Sequence, residues 1–243
     1  MLNTTWRVRI RRALRRGLGL DLLFARPEIT DLLAQQQIDV VLDVGANVGQ
    51  YALLLRSWGY RGRIISFEPL SAQFQQLKAQ ADRDPAWEVF NIGLGESEGT
   101  ATINVAASSV YSSILAATPA LHAFDAQSGA VRTETITVRR LDAVLPEVRG
   151  SARNLFLKVD TQGYERQVPA GAGDALGSFK GIQLELSEIP MYSGESTFLE
   201  MTNLLAARGF RIGLVRPFAH DPRTKLLVQS DVVFVPAEPA ALS

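Results

Sequence analysis

The sequence contains no cysteine and only two histidines, His122 and His220. The absence of cysteine excludes disulfides, thiolate–zinc sites, iron–sulfur clusters and cysteine nucleophiles. Two histidines so far apart in the chain do not predict a metal site, although an oxygen-ligated Mg²⁺ stays open as an alternative.

Long apolar runs are also missing. No uninterrupted run approaches the ~18–20 residues that a membrane-spanning helix needs, and the N-terminus lacks the apolar core of a secretory signal. The sequence therefore predicts a cytoplasmic protein.

Acidic residues are absent from the first twenty positions, where six arginines occur instead. Trp6, Ile10, Leu14 and Leu18 recur four residues apart, so the segment predicts a basic amphipathic helix. Such a helix could pack on the domain with its arginines in solvent, touch an anionic membrane surface, or cover a substrate pocket. The remainder holds 19 basic against 25 acidic residues, so we expect no nucleic-acid partner.

Strand-like and helix-like segments alternate along the rest of the chain, which predicts a largely parallel sheet with crossover helices on both faces. The seven predicted strands are Ile38–Val44, Arg63–Phe67, Trp87–Gly93, Asn154–Val159, Gly181–Leu186, Phe210–Val215 and Asp231–Val235. Thr197 and Glu200 form a capping box before a further helix. We predict an α/β domain over residues 38–236, a basic helical segment over 1–37 and a tail over 237–243.

The middle of the chain departs from this alternation. Thr100–Val105 and Glu134–Arg139 alternate like exposed antiparallel strands, and the segment between them is rich in Ser, Ala and Thr. We interpret residues 106–131 as a mobile insertion beside the site that selects the acceptor. His122 lies within it, and we expect an ordinary surface histidine there, with a role as base the alternative.

The segment DVGANVGQ, residues 43–50, follows the first strand and opens a helix. A tight turn needs glycine where φ is positive or a ligand lies close, and open α/β sheets bind ligands at the carboxyl ends of their strands. Gly45 and Gly49 are present, but the third glycine of the dinucleotide fingerprint is absent. Asp43 could attract the amino group of a sulfonium cofactor.

Glu68 ends the second strand in the triplet Phe67-Glu68-Pro69. A carboxylate in this place can accept hydrogen bonds from both ribose hydroxyls of an adenosine-containing ligand. The glycine loop and this acid together predict an adenosine cofactor without saying which one.

Asp160 and Glu185 are predicted to end adjacent strands on the cofactor side of the sheet. Either could act as the general base that removes the proton of an acceptor hydroxyl, or the two could bind sugar hydroxyls or a cation. Lys158 shares a strand face with Asp160, so a structural network of Lys158, Asp160 and Gln162 is an equal alternative. Gln162 and Tyr192 are the predicted substrate contacts, with the Tyr192 ring stacking on the acceptor.

Four further stretches complete a recognisable pattern: residues 91–95, LKVDTQGYE at 157–165, QLELS at 183–187 and IPMYSG at 189–194. With the glycine loop and the Phe67-Glu68-Pro69 triplet, they resemble the FkbM-type methyltransferases over about residues 38–236. Pro169-Ala170 departs from the Leu-Lys pair usual in that family, and residues 106–131 have no clear counterpart.

The resemblance implies a seven-stranded, Rossmann-like class I methyltransferase fold. It also implies S-adenosylmethionine-dependent O-methylation of a sugar, glycolipid or natural-product hydroxyl. The cofactor contacts that it implies are Asp43, Gly45, Ala46, Asn47, Gly49, Tyr51, Glu68, Pro69, Asn91, Gly93 and Asp160.

Three alternatives stay open at this point. A nicotinamide-dependent oxidoreductase shares Glu68 and the strand–loop–helix unit but lacks the third glycine. A nucleic-acid or protein methyltransferase is disfavoured because an Asn/Asp-Pro-Pro-Tyr motif is missing. A catalytically inactive module that binds a nucleoside cofactor is the third.

Overall fold

The structure, a computed structural model, describes residues 28–221 and 223–237. The predicted basic helix near the N-terminus lies outside these residues, as does nearly all of the predicted tail. No helix within the described ranges is long and apolar enough to cross a membrane.

Helices and strands alternate along the described chain. The α-helices are α1 Glu28–Gln35, α2 Gln50–Ser57, α3 Ser71–Ala81, α4 Pro119–Phe124, α5 Leu141–Arg149, α6 Gln167–Ala172 and α7 Phe198–Ala207. The strands are β1 Val40–Val44, β2 Arg63–Phe67, β3 Trp87–Phe90, β4 Gly93–Gly95, β5 Gly99–Ala106, β6 Ala130–Arg140, β7 Leu155–Val159, β8 Phe179–Ser187, β9 Phe210–His220 and β10 Leu227–Pro236.

Seven strands form the main sheet in the order β3-β2-β1-β7-β8-β10-β9. The first five run parallel, and β10 is antiparallel to both of its neighbours. Strand order reverses between β1 and β7, so a crevice opens there at the carboxyl ends of the strands. This sheet confirms the predicted Rossmann-like class I methyltransferase fold.

Apolar layers cover the main sheet on both faces. Val40 packs in one cluster with Leu141 of α5, whereas its neighbour Val41 packs in another with Leu55 of α2. A strand that is covered on both faces has a nearly continuous apolar sequence. Every residue of β1 is buried. Asp43 is the polar exception in that strand, and burying its charge requires a partner.

The predicted third strand, Trp87–Gly93, is two strands in the structure. β3 ends at Phe90, and the side-chain amide of Asn91 donates to the carbonyls of Glu68 and Pro69 at 2.9 and 3.0 Å. The chain turns at this point, and β4 pairs in parallel with β6 in a separate three-stranded sheet, β4-β6-β5. The predicted antiparallel pair is confirmed, since β5 and β6 are antiparallel neighbours.

The predicted sixth strand, Phe210–Val215, continues in the structure to His220. Pro217 makes the extension hard to foresee, because proline cannot donate to a strand ladder. β9 lies at the edge of the sheet, where proline is tolerated, and its pairing with β10 shifts register at three places. The extension brings four more residues to the cavity described below.

Candidate active site

A cavity of about 840 Å³ lies over the carboxyl ends of β1, β2, β7 and β8. Its size is that of a site for a cofactor and a small molecule. The glycine loop, Glu68, Asp160 and Glu185 all line it, so the structure brings together the predicted polar residues of four strand ends. The segment between β5 and β6 forms part of its wall.

The two loop glycines are required by both backbone conformation and packing. Gly45 has φ +75° and Gly49 has φ +96°. A Cβ on Gly45 would lie 1.8 Å from the Asp160 carbonyl oxygen, and one on Gly49 would lie 2.7 Å from the Trp87 ring. Gly45 lines the cavity but Gly49 does not. The glycines therefore let the loop pack against β7 and β3, and only the first reaches the ligand space.

Glu68 is 5% exposed and lies at the cavity wall. Its Oε2 accepts from the Asn47 N–H and its Oε1 from the Leu70 N–H, both at 2.8 Å. Burial raises the pKa of Glu68 to about 7, although both backbone donors oppose the rise. Each oxygen keeps a lone pair, as acceptance of two ribose hydroxyls requires.

The other predicted cofactor contacts are of two kinds: most line the cavity, and one holds a cavity-lining turn in place. Ala46, Asn47, Tyr51, Pro69 and Gly93 line the cavity. Asn91 does not, because its amide is bonded to the carbonyls of the Glu68-Pro69 turn. Its place is behind Glu68, so it holds that turn in position.

Asp43 does not reach the cavity, which corrects the expectation of a direct cofactor contact. It is fully buried, and its Oδ1 lies 3.1 Å from Lys158 Nζ. Lys158 Nζ also lies 3.5 Å from Asp160 Oδ2 and 5.3 Å from the centre of the Tyr51 ring. Burial opposes the charge on Lys158, but the two carboxylates outweigh it and raise its pKa. Asp43 is therefore the counter-ion of a lysine that itself lines the cavity.

Asp160 and Glu185 are linked through one amide. Gln162 Nε2 donates to Asp160 Oδ1 at 2.7 Å and lies 3.5 Å from Glu185 Oε1. Gln229 Nε2 donates to the same Glu185 oxygen at 2.8 Å. Burial raises the pKa of Glu185 well above its ordinary value, and the neighbouring Asp160 carboxylate adds to the rise. Such a carboxyl can hold or release a proton nearer neutral pH than an exposed one.

Tyr192 is not part of the cavity wall, so its predicted stacking on an acceptor is corrected. The side chain is 1% exposed, and its Cβ would be 2.7 Å from a Cβ on Gly163. Its hydroxyl lies 2.9 Å from Gln162 Oε1. The loop turns inward because Glu195 accepts from the N–H groups of Met191 and Tyr192. Tyr192 thus fixes the amide that joins the two acids.

The insertion is folded over the cavity rather than irregular. It contains α4 and two 3₁₀ turns, Ser109–Tyr111 and Ala126–Ser128. Asn47 Nδ2 donates to Ser109 Oγ at 3.1 Å, and Ser113 Oγ donates to the Gln162 carbonyl at 2.6 Å. The insertion therefore contacts both the glycine loop and the loop after β7.

The two histidines have different positions. His122 is exposed, lies 3.0 Å from Ser128 Oγ through its Nδ1, and is not among the cavity residues. His220 lines the cavity together with Arg216, Phe218 and Ala219 of β9. These residues lie beyond the predicted end of the sixth strand, so no strand periodicity in the sequence indicates them. Within residues 28–221 and 223–237, no group of three or more His, Asp and Glu side chains could hold a metal ion.

Residues 43–212 match the family model described as Methyltransferase FkbM domain. The chain belongs to the FkbM methyltransferase family. The matched region is an S-adenosylmethionine-dependent methyltransferase domain, as the sequence motifs predicted. The nicotinamide-dependent alternative is therefore wrong.

Two curated relatives are similar to this FkbM family chain. The AMB antimetabolite synthetase AmbE of Pseudomonas aeruginosa is 31% identical over 204 residues, which is 72% of this chain but only 10% of that protein. Methyltransferase 1 of Beauveria bassiana is 25% identical over 198 residues, covering 76% of this chain and 78% of that protein. The chain thus spans about a tenth of the length of the first relative.

Solved structures with a similar fold include TehB from Haemophilus influenzae, at 9% identity and TM-score 0.47, covering 94% of this chain and 67% of that one. Magnesium protoporphyrin IX methyltransferase from Synechocystis PCC 6803, with bound SAM, has 12% identity and TM-score 0.46, covering 97% and 93%. At these values the similarity adds nothing to the family assignment.

Proposed function

We propose that this methyltransferase acts on a hydroxyl oxygen of a small-molecule acceptor, such as a sugar, glycolipid or natural product. The observation that supports the proposal is the acid pair Asp160 and Glu185, joined by Gln162 in the same cavity as the glycine loop and Glu68. A neutral hydroxyl must lose its proton when its oxygen is methylated. A positioned carboxylate provides the acceptor for that proton.

The residues present fit the cofactor. Glu68 has a free lone pair on each oxygen for the ribose hydroxyls, and the loop residues Gly45, Ala46 and Asn47 adjoin it in the cavity wall. Pro69 and Gly93 extend this wall and would face the adenine ring of the cofactor. When bound, S-adenosylmethionine supplies an electrophilic methyl group on sulfur.

We assign the proton acceptor to Glu185 and a positioning role to Asp160. Glu185 is held by two side-chain amides, those of Gln162 and Gln229, and burial raises its pKa. Asp160 lies 3.5 Å from the Lys158 ammonium and accepts from Gln162 Nε2 at 2.7 Å, so its carboxylate is engaged by these two partners. The acceptor hydroxyl would give its proton to Glu185 as its oxygen gains the methyl group.

Calorimetry tests the cofactor site separately from the chemistry. S-adenosylhomocysteine should bind the wild-type protein, and Glu68→Ala should weaken that binding by at least tenfold. Glu185→Gln keeps the shape and one acceptor oxygen, so its affinity should stay within about twofold. A Glu68→Ala variant with unchanged affinity would contradict the ribose role.

Transfer of a tritiated methyl group to a panel of sugars, glycolipids and hydroxylated aromatics tests the reaction. Glu185→Gln should lower kcat by about 100–10,000-fold, the usual contribution of a general base. The control is Glu188→Gln, an exposed carboxyl just beyond β8, which should keep wild-type kcat. The methyl ether that hydroxyl methylation produces resists alkali. Release of labelled methanol by alkali, or label found on an amine, would refute hydroxyl methylation. Cofactor binding without transfer to any panel member would favour the inactive-module alternative.

A further inference from the structure

The final part of β9 lines the cavity with Arg216, Phe218, Ala219 and His220. The pairing with β10 shifts register twice in this part of the strand, so regular alternation is interrupted and both Phe218 and its neighbour Ala219 reach the wall. These residues place a guanidinium, an aromatic ring and an imidazole along one side of the cavity.

Arg216 has no hydrogen bond or ion pair with any residue in the described part of the chain. Its strand neighbour Asp231 is its pairing partner in the β9–β10 ladder, yet the two form no salt bridge. Asp231 instead takes its hydrogen bond from Gln183. A half-buried guanidinium in a cavity, with its five N–H donors unused by the fold, suits a planar or tetrahedral oxyanion.

Apolar surface lies next to this cation. Phe218 is 51% exposed on β9, and Phe124 of the insertion is 39% exposed in the same cavity. Aromatic rings left open to solvent inside a cavity indicate contact with a ligand body. Glu185 of β8 and Arg216 of β9 both pair with Asp231 of β10, so their backbones lie two strand spacings apart, about 10 Å. The hydroxyl to be methylated and the Arg216 end of the ligand would therefore occupy separate places in the site.

We propose that the acceptor carries an oxyanion, a carboxylate or a phosphate, that Arg216 binds while the acceptor's apolar part lies on Phe218. This inference rests on the proposed function and narrows the acceptor class within it. His220, which also lines the cavity, adds a second donor. The anion thereby fixes which end of the acceptor faces Glu185.

Ligand-observed NMR with small probes tests the site without knowledge of the natural acceptor. Benzoate and phenyl phosphate supply an oxyanion on an apolar ring, and benzyl alcohol supplies the ring alone. Titrations are run on the full chain with and without saturating S-adenosylhomocysteine. Both oxyanions should bind the wild-type protein more tightly than benzyl alcohol does.

Arg216→Gln should weaken both oxyanions by at least tenfold and leave benzyl alcohol unchanged, whereas Phe218→Ala should weaken all three probes. The matched control is Arg211→Gln, because Arg211 lies on the same strand but outside the cavity. It should behave as wild type, and Arg216→Lys should retain part of the affinity.

Equal oxyanion binding by wild type and Arg216→Gln, or no preference over benzyl alcohol, would overturn the inference. S-adenosylhomocysteine affinity should be the same in all of these variants. If S-adenosylhomocysteine binds but Arg216 makes no difference to oxyanion binding, the anionic acceptor is refuted and the proposed function is not. Failure of S-adenosylhomocysteine to bind would refute the proposed function, while the titrations without it would still report on Arg216.

Discussion

At the scale of single residues, the site depends on buried acids whose pKa values are raised by burial. Glu165 is 4% exposed, and its Oε1 accepts from the N–H and hydroxyl of Thr161 at 2.7 and 3.2 Å. Burial raises the pKa of Glu165 to about 8, and the nearby carboxyl of Glu195 adds to the rise. This acid supports the loop that carries Asp160 and Gln162.

Glu165→Gln should change how stability depends on pH. A folded pKa above the unfolded value means that the contribution of Glu165 is complete below about pH 4.5 and is lost as pH rises to about 8. The unfolded chain releases this proton first, so wild type should lose on the order of 5 kcal/mol relative to the variant across that range. Glutamine keeps the acceptor oxygen for Thr161 and cannot titrate.

The measurement is urea unfolding of wild type and Glu165→Gln at several pH values between 4.5 and 9. The difference between the two free energies of unfolding cancels the titration of the other buried acids to first order. If the free energies of unfolding of wild type and Glu165→Gln change in parallel with pH, Glu165 does not titrate between pH 4.5 and 9. Glu165→Ala should be less stable than Glu165→Gln throughout, since it loses the hydrogen bonds as well.

Tyr192 shows what residue patterns cannot supply at this scale. Its position in the loop after β8 was clear from the sequence, but its direction was not. Backbone bonds to Glu195 turn the ring inward, under Gly163 and onto Gln162. Local composition carries no information about a contact that joins loops thirty residues apart.

At the scale of secondary structure, local signals were reliable where capping and periodicity agree. The capping box is present as predicted: Thr197 Oγ1 accepts from the Glu200 N–H at 3.4 Å, and Glu200 Oε2 accepts from the Thr197 N–H at 2.8 Å. Helix α7 follows at Phe198, with Met201 and Leu205 buried. Each of these features depends on residues within one or two turns.

Thr197→Ala should destabilise the protein by about 1 kcal/mol, the usual effect of removing an N-cap hydroxyl. The matched control is Ser196→Ala, because the hydroxyl of Ser196 makes no hydrogen bond within the described residues. Urea unfolding should show a lower midpoint for Thr197→Ala and an unchanged slope. Equal midpoints for the two variants would mean that the capping box contributes nothing.

Strand ends were the weak point at this scale. The predicted sixth strand ended at Val215, before Pro217, whereas β9 continues to His220. A proline normally argues against a strand, and only the edge position of β9 makes it acceptable. The side chains that we propose for acceptor binding lie in this missed extension.

At the scale of the whole molecule, the candidate active-site cavity lies between the main sheet and the insertion. The glycine loop and the insertion meet at the hydrogen bond from Asn47 Nδ2 to Ser109 Oγ, across 62 residues of sequence. The Tyr51 hydroxyl similarly donates to Gln183 Oε1 at 2.8 Å across 132 residues. These long-range contacts assemble the wall of the site from separate elements.

Ser109→Ala should accelerate S-adenosylhomocysteine dissociation about fivefold, the factor that corresponds to a net hydrogen bond of ~1 kcal/mol. The reason is that the Asn47–Ser109 bond holds the insertion against the loop that borders the cofactor space. Ser108→Ala is the matched control, because no hydrogen bond involves its hydroxyl within the described residues. Stopped-flow displacement measures the rate, and equal rates for the two variants would show that the insertion does not retain the ligand.

The sequence by itself determined the alternation of strands and helices, the positive-φ glycine loop, and the acids at or near the carboxyl ends of β2, β7 and β8. These features depend on neighbours a few residues apart, through strand and helix periodicity, turn chemistry and short motifs. Only the tertiary structure decided that Asp43 lies behind Lys158, that Tyr192 points inward, and which β9 side chains enter the cavity. Those outcomes depend on which surfaces the chain buries against each other, and the free energy of that burial belongs to contacts that no local pattern specifies.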